Sequence, residues 1–148
     1  MLVEKATTSD IPALVSLLST LFSQEAEFTP NAEAQQRGLE AIIGNPEAGA
    51  VLVARQGDQI VGMVNLLFTI STALGERVAL LEDMVVSPAD RGKGIGTKLL
   101  SEAISFARLR GCKRITLLTD RSNESAQRFY SKQGLVLSGM VPMRLSLA

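Results

Sequence analysis

The sequence predicts an α/β fold (α+β mixed) in a single domain spanning residues 1–148, with a central mixed, twisted sheet flanked by helices. Two observations carry that expectation. Apolar residues recur at strand spacing and at helix spacing in successive segments, in the order β-α-α-β-β-β-α-β-α-β, and that order favours helices packed on a mixed sheet. Hydrophobic residues make up 46% of the chain and charged residues 20%, which at this length is enough apolar side chain for one sizeable core.

MLVEKA reads as a short first strand. TTSDIPALVSLLSTLFSQ follows as a helix, with Ile11, Leu14, Leu17, Leu18 and Leu21 at helical spacing and Ser9 or Asp10 placed to cap it. After the polar break EAEFTPN, AEAQQRGLEAII is a second helix, ended by GNPEAG. AVLVARQGDQIVGMVNLLFTI is two β-rich runs around Gly57-Asp58-Gln59, the pattern of a hairpin. STALGE is a loop, and RVALLEDMVV is the next strand, closed by SPADRG. From Ile95 to Leu109 the apolar positions Ile95, Leu99, Ala103, Phe106 and Leu109 lie near one helical stripe, and Gly111 suits the C-terminal end. KRITLLTD is a strand, NESAQRFYSKQ a short helix before Gly134, and LVLSGMVPMRLSLA supplies one or two final strands.

Several function classes are excluded early. Fifteen basic and fifteen acidic side chains cancel, and neither end carries a block of one sign, so electrostatics makes no case for nucleic acid. The start MLVEKATTSD has no secretory-signal core. No apolar run approaches the ~20 residues that span a bilayer. A cytoplasmic protein without a membrane partner is therefore expected. There is no histidine and one cysteine, Cys112, which excludes an internal disulfide, a structural zinc site and a histidine base. No metal is expected.

The stretch RGKGIG, Arg91 to Gly96, lies between the strand and the long helix. Glycine gives up the most backbone freedom on folding, so a cluster of them needs a reason. At a helix N-terminus the first amides have no intrahelical partner, and without nearby Cβ atoms they wrap a phosphate closely. Arg91 and Lys93 add positive charge. A diphosphate-bearing ligand is the best reading. A Walker A loop fails because Lys93 is followed by Gly94 rather than Ser or Thr, and the spacing GxGxG departs from the dinucleotide fingerprint GxGxxG. The bland alternative is a turn shaped by helix–sheet packing.

Arg91, Gly94 and Gly96 match in full the signature of the GCN5-related N-acetyltransferase superfamily: Arg or Gln, two residues, Gly, one residue, Gly or Ala. In NESAQRFYSKQG, Asn123, Ala126, Phe129, Tyr130, Lys132 and Gly134 follow the order of the superfamily's second half-signature. The chain thus resembles that superfamily, most specifically from Leu80 to Gly134. The resemblance implies the acyl-CoA N-acyltransferase fold, acetyl-coenzyme A as cosubstrate, and a pyrophosphate held by Gly92, Lys93, Gly94, Ile95, Gly96 and Thr97 beside Arg91. The segment LLEDMVVSPADRGKGIG is also similar to the diamine and polyamine acetyltransferase branch.

From the same resemblance come the expected roles. The strand before the glycine loop carries a β-bulge that frees an edge for the pantetheine arm, here at Met84, Val85 and Val86. A backbone N–H, that of Met84 first, faces the thioester oxygen as an oxyanion donor. Tyr130, the only tyrosine, is the candidate general acid, since a phenol with a pKa of about 10 is protonated at neutral pH. The alternative is a tyrosine packed on the sheet. Glu82 is the candidate base, directly or through water, and its alternative is an ion pair across the sheet. Glu82 and Asp83 are adjacent in a strand and nominally face opposite ways, unless a bulge disturbs the alternation. Asn123 bonds the cofactor arm, caps its helix, or both.

The acceptor site is expected from SQEAEFTPN and TISTALGERV, where Glu25, Glu27 and Phe28 suit a cationic amine with an aliphatic body. The leading reading is acetyl transfer to a small amine by direct attack, without an acetyl-enzyme on Cys112. A protein or peptide acetyltransferase and a non-catalytic acetyl-CoA sensor are the alternatives. The apolar C-terminal segment, with the family's habit of pairing, implies a homodimer.

Overall fold

The computed structural model describes residues 1–24 and 30–148. They form two compact units, Met1–Leu118 and Thr119–Ala148. In the first unit β1 (Leu2–Lys5) leads through a short 3₁₀ turn, Thr8–Asp10, into α1 (Ile11–Gln24). Then come α2 (Ala32–Ile43), β2 (Gly49–Gln56), β3 (Gln59–Ser71), β4 (Glu76–Val86), α3 (Ile95–Leu109) and β5 (Ile115–Leu117). The second unit holds α4 (Glu124–Lys132).

The sheet runs β1-β2-β3-β4-β5. The first three pairings are antiparallel, and β4 and β5 are parallel, with α3 as the crossover. This is the mixed, helix-flanked sheet the sequence predicts. The hairpin is the expected one: Gln56 pairs with Gln59, and Gly57 takes the positive φ of 59° that a two-residue turn demands.

One face of the sheet is packed under α1 and α2. Leu14, Leu17, Leu18 and Leu39 are buried there with Val51, Val53, Met63 and Val85. α3 packs on the same sheet through Leu99, Leu100, Ala103 and Ala107, and a Cβ on Gly62 would meet the Leu99 side chain at 3.3 Å. At the head of α1 the expected cap is realised differently. Asp10, the residue before the helix, does not turn its carboxylate onto the first amides of α1 but reaches back across the 3₁₀ turn to accept the Thr7 N–H at 2.8 Å. Its carboxylate also takes Arg55 Nη2 at 2.6 Å, and that guanidinium holds the Asp10 carboxyl below the usual range. α3 ends as expected, with Gly111 at φ 82° and the Cys112 N–H returning to the Ala107 carbonyl at 2.9 Å.

Two expectations are corrected. The strand read from KRITLLTD is confined to Ile115–Leu117. The final strands do not form: residues 135–148 carry no helix or strand, and Val136, Leu137, Met140, Val141, Met143, Leu145 and Leu147 are exposed. The run looks like a strand by composition. Gly139 and Pro142 divide it, proline has no N–H for a ladder, and no neighbouring strand pairs with it among the described residues.

Candidate active site

β4 is paired along its length with β3, but β5 meets it only at Ala79, Leu80 and Leu81. From Glu82 to Val86 that side of the strand has no ladder partner among the described residues. The separation coincides with an irregularity on the other side. Met63 pairs with Val85 and Asn65 with Glu82, so Asp83 and Met84 together oppose the single residue Val64. This is a β-bulge, which locally turns the strand. Asp83 carries it with a φ of 57°, the only positive φ at a non-glycine among the described residues. Aspartate tolerates the left-handed region better than most residues. The bulge expected near Met84 is present, one residue earlier than the stretch named for it.

The bulge changes what the two neighbouring carboxylates meet. Glu82 is exposed. Asp83 is half-buried and accepts a hydrogen bond from Asn65 Nδ2 at 2.7 Å. Burial, and secondarily the charge of Glu82, push the Asp83 carboxyl up to about 6 against the opposing effect of the Asn65 bond. A proton acceptor that half-titrates close to neutrality is better matched to work at pH 7 than an ordinary aspartate. The alternation of an ideal strand offered no reason to prefer Asp83. The sequence reading does not include Asn65 either, although a lone polar residue in the apolar run VGMVNLLF is a legible signal.

Past β4 the chain makes a short 3₁₀ turn, Pro88–Asp90, and enters the glycine loop. Gly92 and Gly94 have φ of 78° and 79°, with nothing within 4 Å of where a Cβ would stand. They are glycines for backbone conformation and for open space, not for packing. Gly94 is the residue before α3 and no side chain caps that end. The amides of Ile95, Gly96 and Thr97 are therefore helix donors without an intrahelical acceptor. The arrangement fits a diphosphate, since donors, dipole and open space coincide. Arg91 Nε donates to the Val86 carbonyl at 3.2 Å, tying the loop to the strand end. Lys93 Nζ lies 3.4 Å from Asp90 Oδ1.

In the second unit Asn123 caps α4, its Oδ1 accepting from the Ala126 N–H and from Ser125 Oγ, each at 3.1 Å. Its helix-capping role is thus realised. Tyr130 is half-buried on α4 and meets Phe129 edge-on, with ring centroids 5.2 Å apart. Of the segments expected to build the acceptor site, Glu25, Glu27 and Phe28 lie outside the described residues. TISTALGERV spans the end of β3, a turn and the start of β4. Cys112 is buried, and burial pushes its thiol up, the wrong direction for a nucleophile. Among the described residues there is no cluster of three His, Cys, Asp or Glu that could hold a metal, and no helix is long and apolar enough to cross a membrane.

A sheet that opens beside a bulge and runs into an uncapped glycine-rich helix start defines an acyl-CoA-dependent transferase fold. The acetyltransferase (GNAT) family model matches residues 11–135, and the chain belongs to that family. It is 34% identical over 137 residues to an uncharacterized N-acetyltransferase of Bacillus subtilis, YhfO, covering 90% of this chain and 89% of that one. It is 30% identical over 129 residues to an aminoalkylphosphonate N-acetyltransferase of Salmonella typhimurium, covering 87% and 80%. Among solved structures, an integron cassette protein from the mobile metagenome of Cole Harbour Salt Marsh superposes with a TM-score of 0.86 at 29% identity, covering 99% of this chain and 90% of that one. The protein is an acetyl-CoA-dependent acetyltransferase.

Proposed function

We propose that this enzyme transfers the acetyl group of acetyl-coenzyme A to the amine of a small, cationic molecule by direct attack. The observation that carries the reading is the continuity of β4. Its stretch from Glu82 to Val86, paired with β3 on one side and open on the other among the described residues, has a carboxylate at the bulge and leads directly to the uncapped amides of α3.

Acetyl-coenzyme A supplies an activated acyl group. Ile95, Gly96 and Thr97 offer amides to its diphosphate, with Gly92 and Gly94 leaving room and Arg91 and Lys93 adding charge. The free edge at Met84, Val85 and Val86 offers backbone donors and acceptors to an extended amide-bearing arm, as a missing strand would. The Met84 N–H is assigned as the oxyanion donor. Asp83 is assigned the proton of the acceptor ammonium, directly or through water. Glu82, exposed beside it, attracts and orients the cation. Tyr130 is assigned as donor to the departing thiolate, with Asn123 and Ala126 on the same helix contacting the cofactor arm. Substitution Tyr130→Phe should lower kcat by about 10²- to 10⁴-fold, the range for loss of a general acid, while leaving the coenzyme A dissociation constant within about two-fold. Equal losses in both would remove the acid role.

Diamines and polyamines lead the candidate acceptors, because Leu81, Glu82 and Asp83 repeat the pattern of that branch. A thiol-release assay with diamines, polyamines, amino acids, aminoalkylphosphonates, aminoglycosides and N-terminal peptides tests the acceptor class. Turnover on peptides alone would overturn the small-amine reading. The exposed apolar residues after Leu135 support a homodimer built through that segment, and light scattering of the eluted protein at twice the monomer mass of 15.8 kDa is the expected result.

A further inference from the structure

We infer that Asn65 is the positioning residue for Asp83: through its side-chain amide it fixes the carboxylate that takes the acceptor's proton. The inference rests on the assignment of Asp83 as base made above.

Asn65 sits in the middle of β3, only 3% exposed, with Val51 opposite it on β2 and Glu82 opposite it on β4. Val51 belongs to the core under α1 and α2. A valine or leucine would fill such a position without burying an amide. The amide is not fully satisfied: Nδ2 donates to Asp83 Oδ2 at 2.7 Å, while Oδ1 is buried with no hydrogen-bond partner. A buried acceptor left unpaired is unfavourable. The bond to Asp83 is what the asparagine gains in return.

That bond matters because the strand ladder does not orient Asp83. The residue stands in the bulge with a φ of 57°, outside regular pairing. The Nδ2 donor favours the ionised carboxylate, opposing the burial that favours the acid. A half-turn of the amide would present Oδ1 to a protonated Asp83 instead, so one side chain can serve the carboxylate before and after it takes a proton. The second acceptor position is otherwise idle.

Few other groups set the titration. Glu82, on the same strand, is the one charge that acts on Asp83 among the described residues. β3, α1 and β5 carry no ionisable side chain at all. α3, also packed against β4, carries Lys98, Glu102 and Arg108, none of which acts on Asp83. Removing the Asn65 donor therefore has a definite sign. The charged form loses support, and the midpoint of Asp83 rises.

The test is the pH profile of kcat/KM for the wild type, Asn65→Leu, Asn65→Ala and Asp83→Asn, with carbon-13 NMR titration of the aspartate carboxyls in the cofactor-free protein. The wild type should show an acid limb that Asp83→Asn abolishes. Asn65→Leu and Asn65→Ala should move that limb up by about one pH unit, with the Asp83 NMR midpoint moving the same way. Asn65→Ala serves should the leucine fail to fold. If Asp83→Asn retains the limb, the base assignment fails whatever Asn65 does. If Asp83→Asn abolishes it while both Asn65 variants leave limb and NMR midpoint in place, Asn65 is merely structural and the inference is overturned alone. A lowered Tm without a shifted limb counts the same way.

Discussion

Along β4, the residues from Glu76 to Leu81 and those from Glu82 to Val86 are held by different means. The first part has strand neighbours on both sides where it meets β5, and its Val78, Ala79 and Leu81 are buried. The second has a neighbour on one side only, contains the bulge, and carries two adjacent carboxylates. One strand thus contributes packing at one end and a backbone edge open on one side at the other. The contrast explains why a stable sheet is a suitable carrier for the site: the ordered half fixes where the irregular half points.

Substituting one residue in each half separates the two contributions. Asp83→Asn should lower kcat/KM by about 10²- to 10⁴-fold, the range for loss of a general base, and should not weaken the fold. The folded carboxyl, near 6, lies above the ordinary value of 3.8. Between those values the folded state binds more protons than the unfolded one. Stability therefore falls as pH rises through that window, and the cost levels off only once pH has passed through the folded value of about 6. Asparagine removes the charge and still tolerates a left-handed φ, so Asp83→Asn should raise Tm at pH 7 and flatten its dependence between pH 4 and 6. Leu81→Ala should do the reverse, with about 2–5 kcal/mol lost from the fold and kcat per folded molecule little changed. Calorimetry with steady-state kinetics on the same samples checks both. If Asp83→Asn is both inactive and destabilised across the whole pH range, the two halves do not divide labour as described.

The glycine loop continues the same logic, since its donors are also backbone. Gly94→Ala meets no atom but must hold a φ of 79° with a Cβ, which costs about 1–2 kcal/mol. If the conformation serves the cosubstrate, coenzyme A affinity should fall about ten-fold, measured by isothermal titration, with the far-ultraviolet spectrum unchanged. Unchanged affinity would mean that the loop's shape is irrelevant to the diphosphate.

These contrasts also mark how far the sequence could be read. Periodicity located the hairpin around Gly57 and the α3 stripe through Ile95, Leu99 and Ala103, because local spacing decides those elements, but Leu109, expected at the end of that stripe, is exposed. RGKGIG was legible because three glycines at a strand–helix junction have few physical reasons to be there. Asp83 was not, since ideal alternation assigns each residue a face and says nothing of a bulge that reassigns two of them. Asn65 depends on Asp83, a partner on another strand, so its role appears only once register is known. The final strands failed for a related reason: composition proposes a strand, but pairing requires a neighbour.

The smallest expected effect concerns Glu82, and it tests whether the irregular half needs both carboxylates. Glu82 is exposed, so its field is screened by solvent and reaches an acceptor weakly. Glu82→Gln keeps shape and hydrogen bonding and removes only the charge. KM for a diamine should rise about two- to five-fold, a loss of under ~1 kcal/mol such as exposed charge pairs contribute, while kcat stays within two-fold. The increase should shrink in high salt, as screening reduces what the charge contributes in the wild type. Loss of the Glu82 charge also relieves its repulsion on Asp83, so the acid limb of kcat/KM should move down, opposite to the shift expected for Asn65→Leu. A large fall in kcat with an abolished acid limb would instead make Glu82 the base and leave Asp83 as its support.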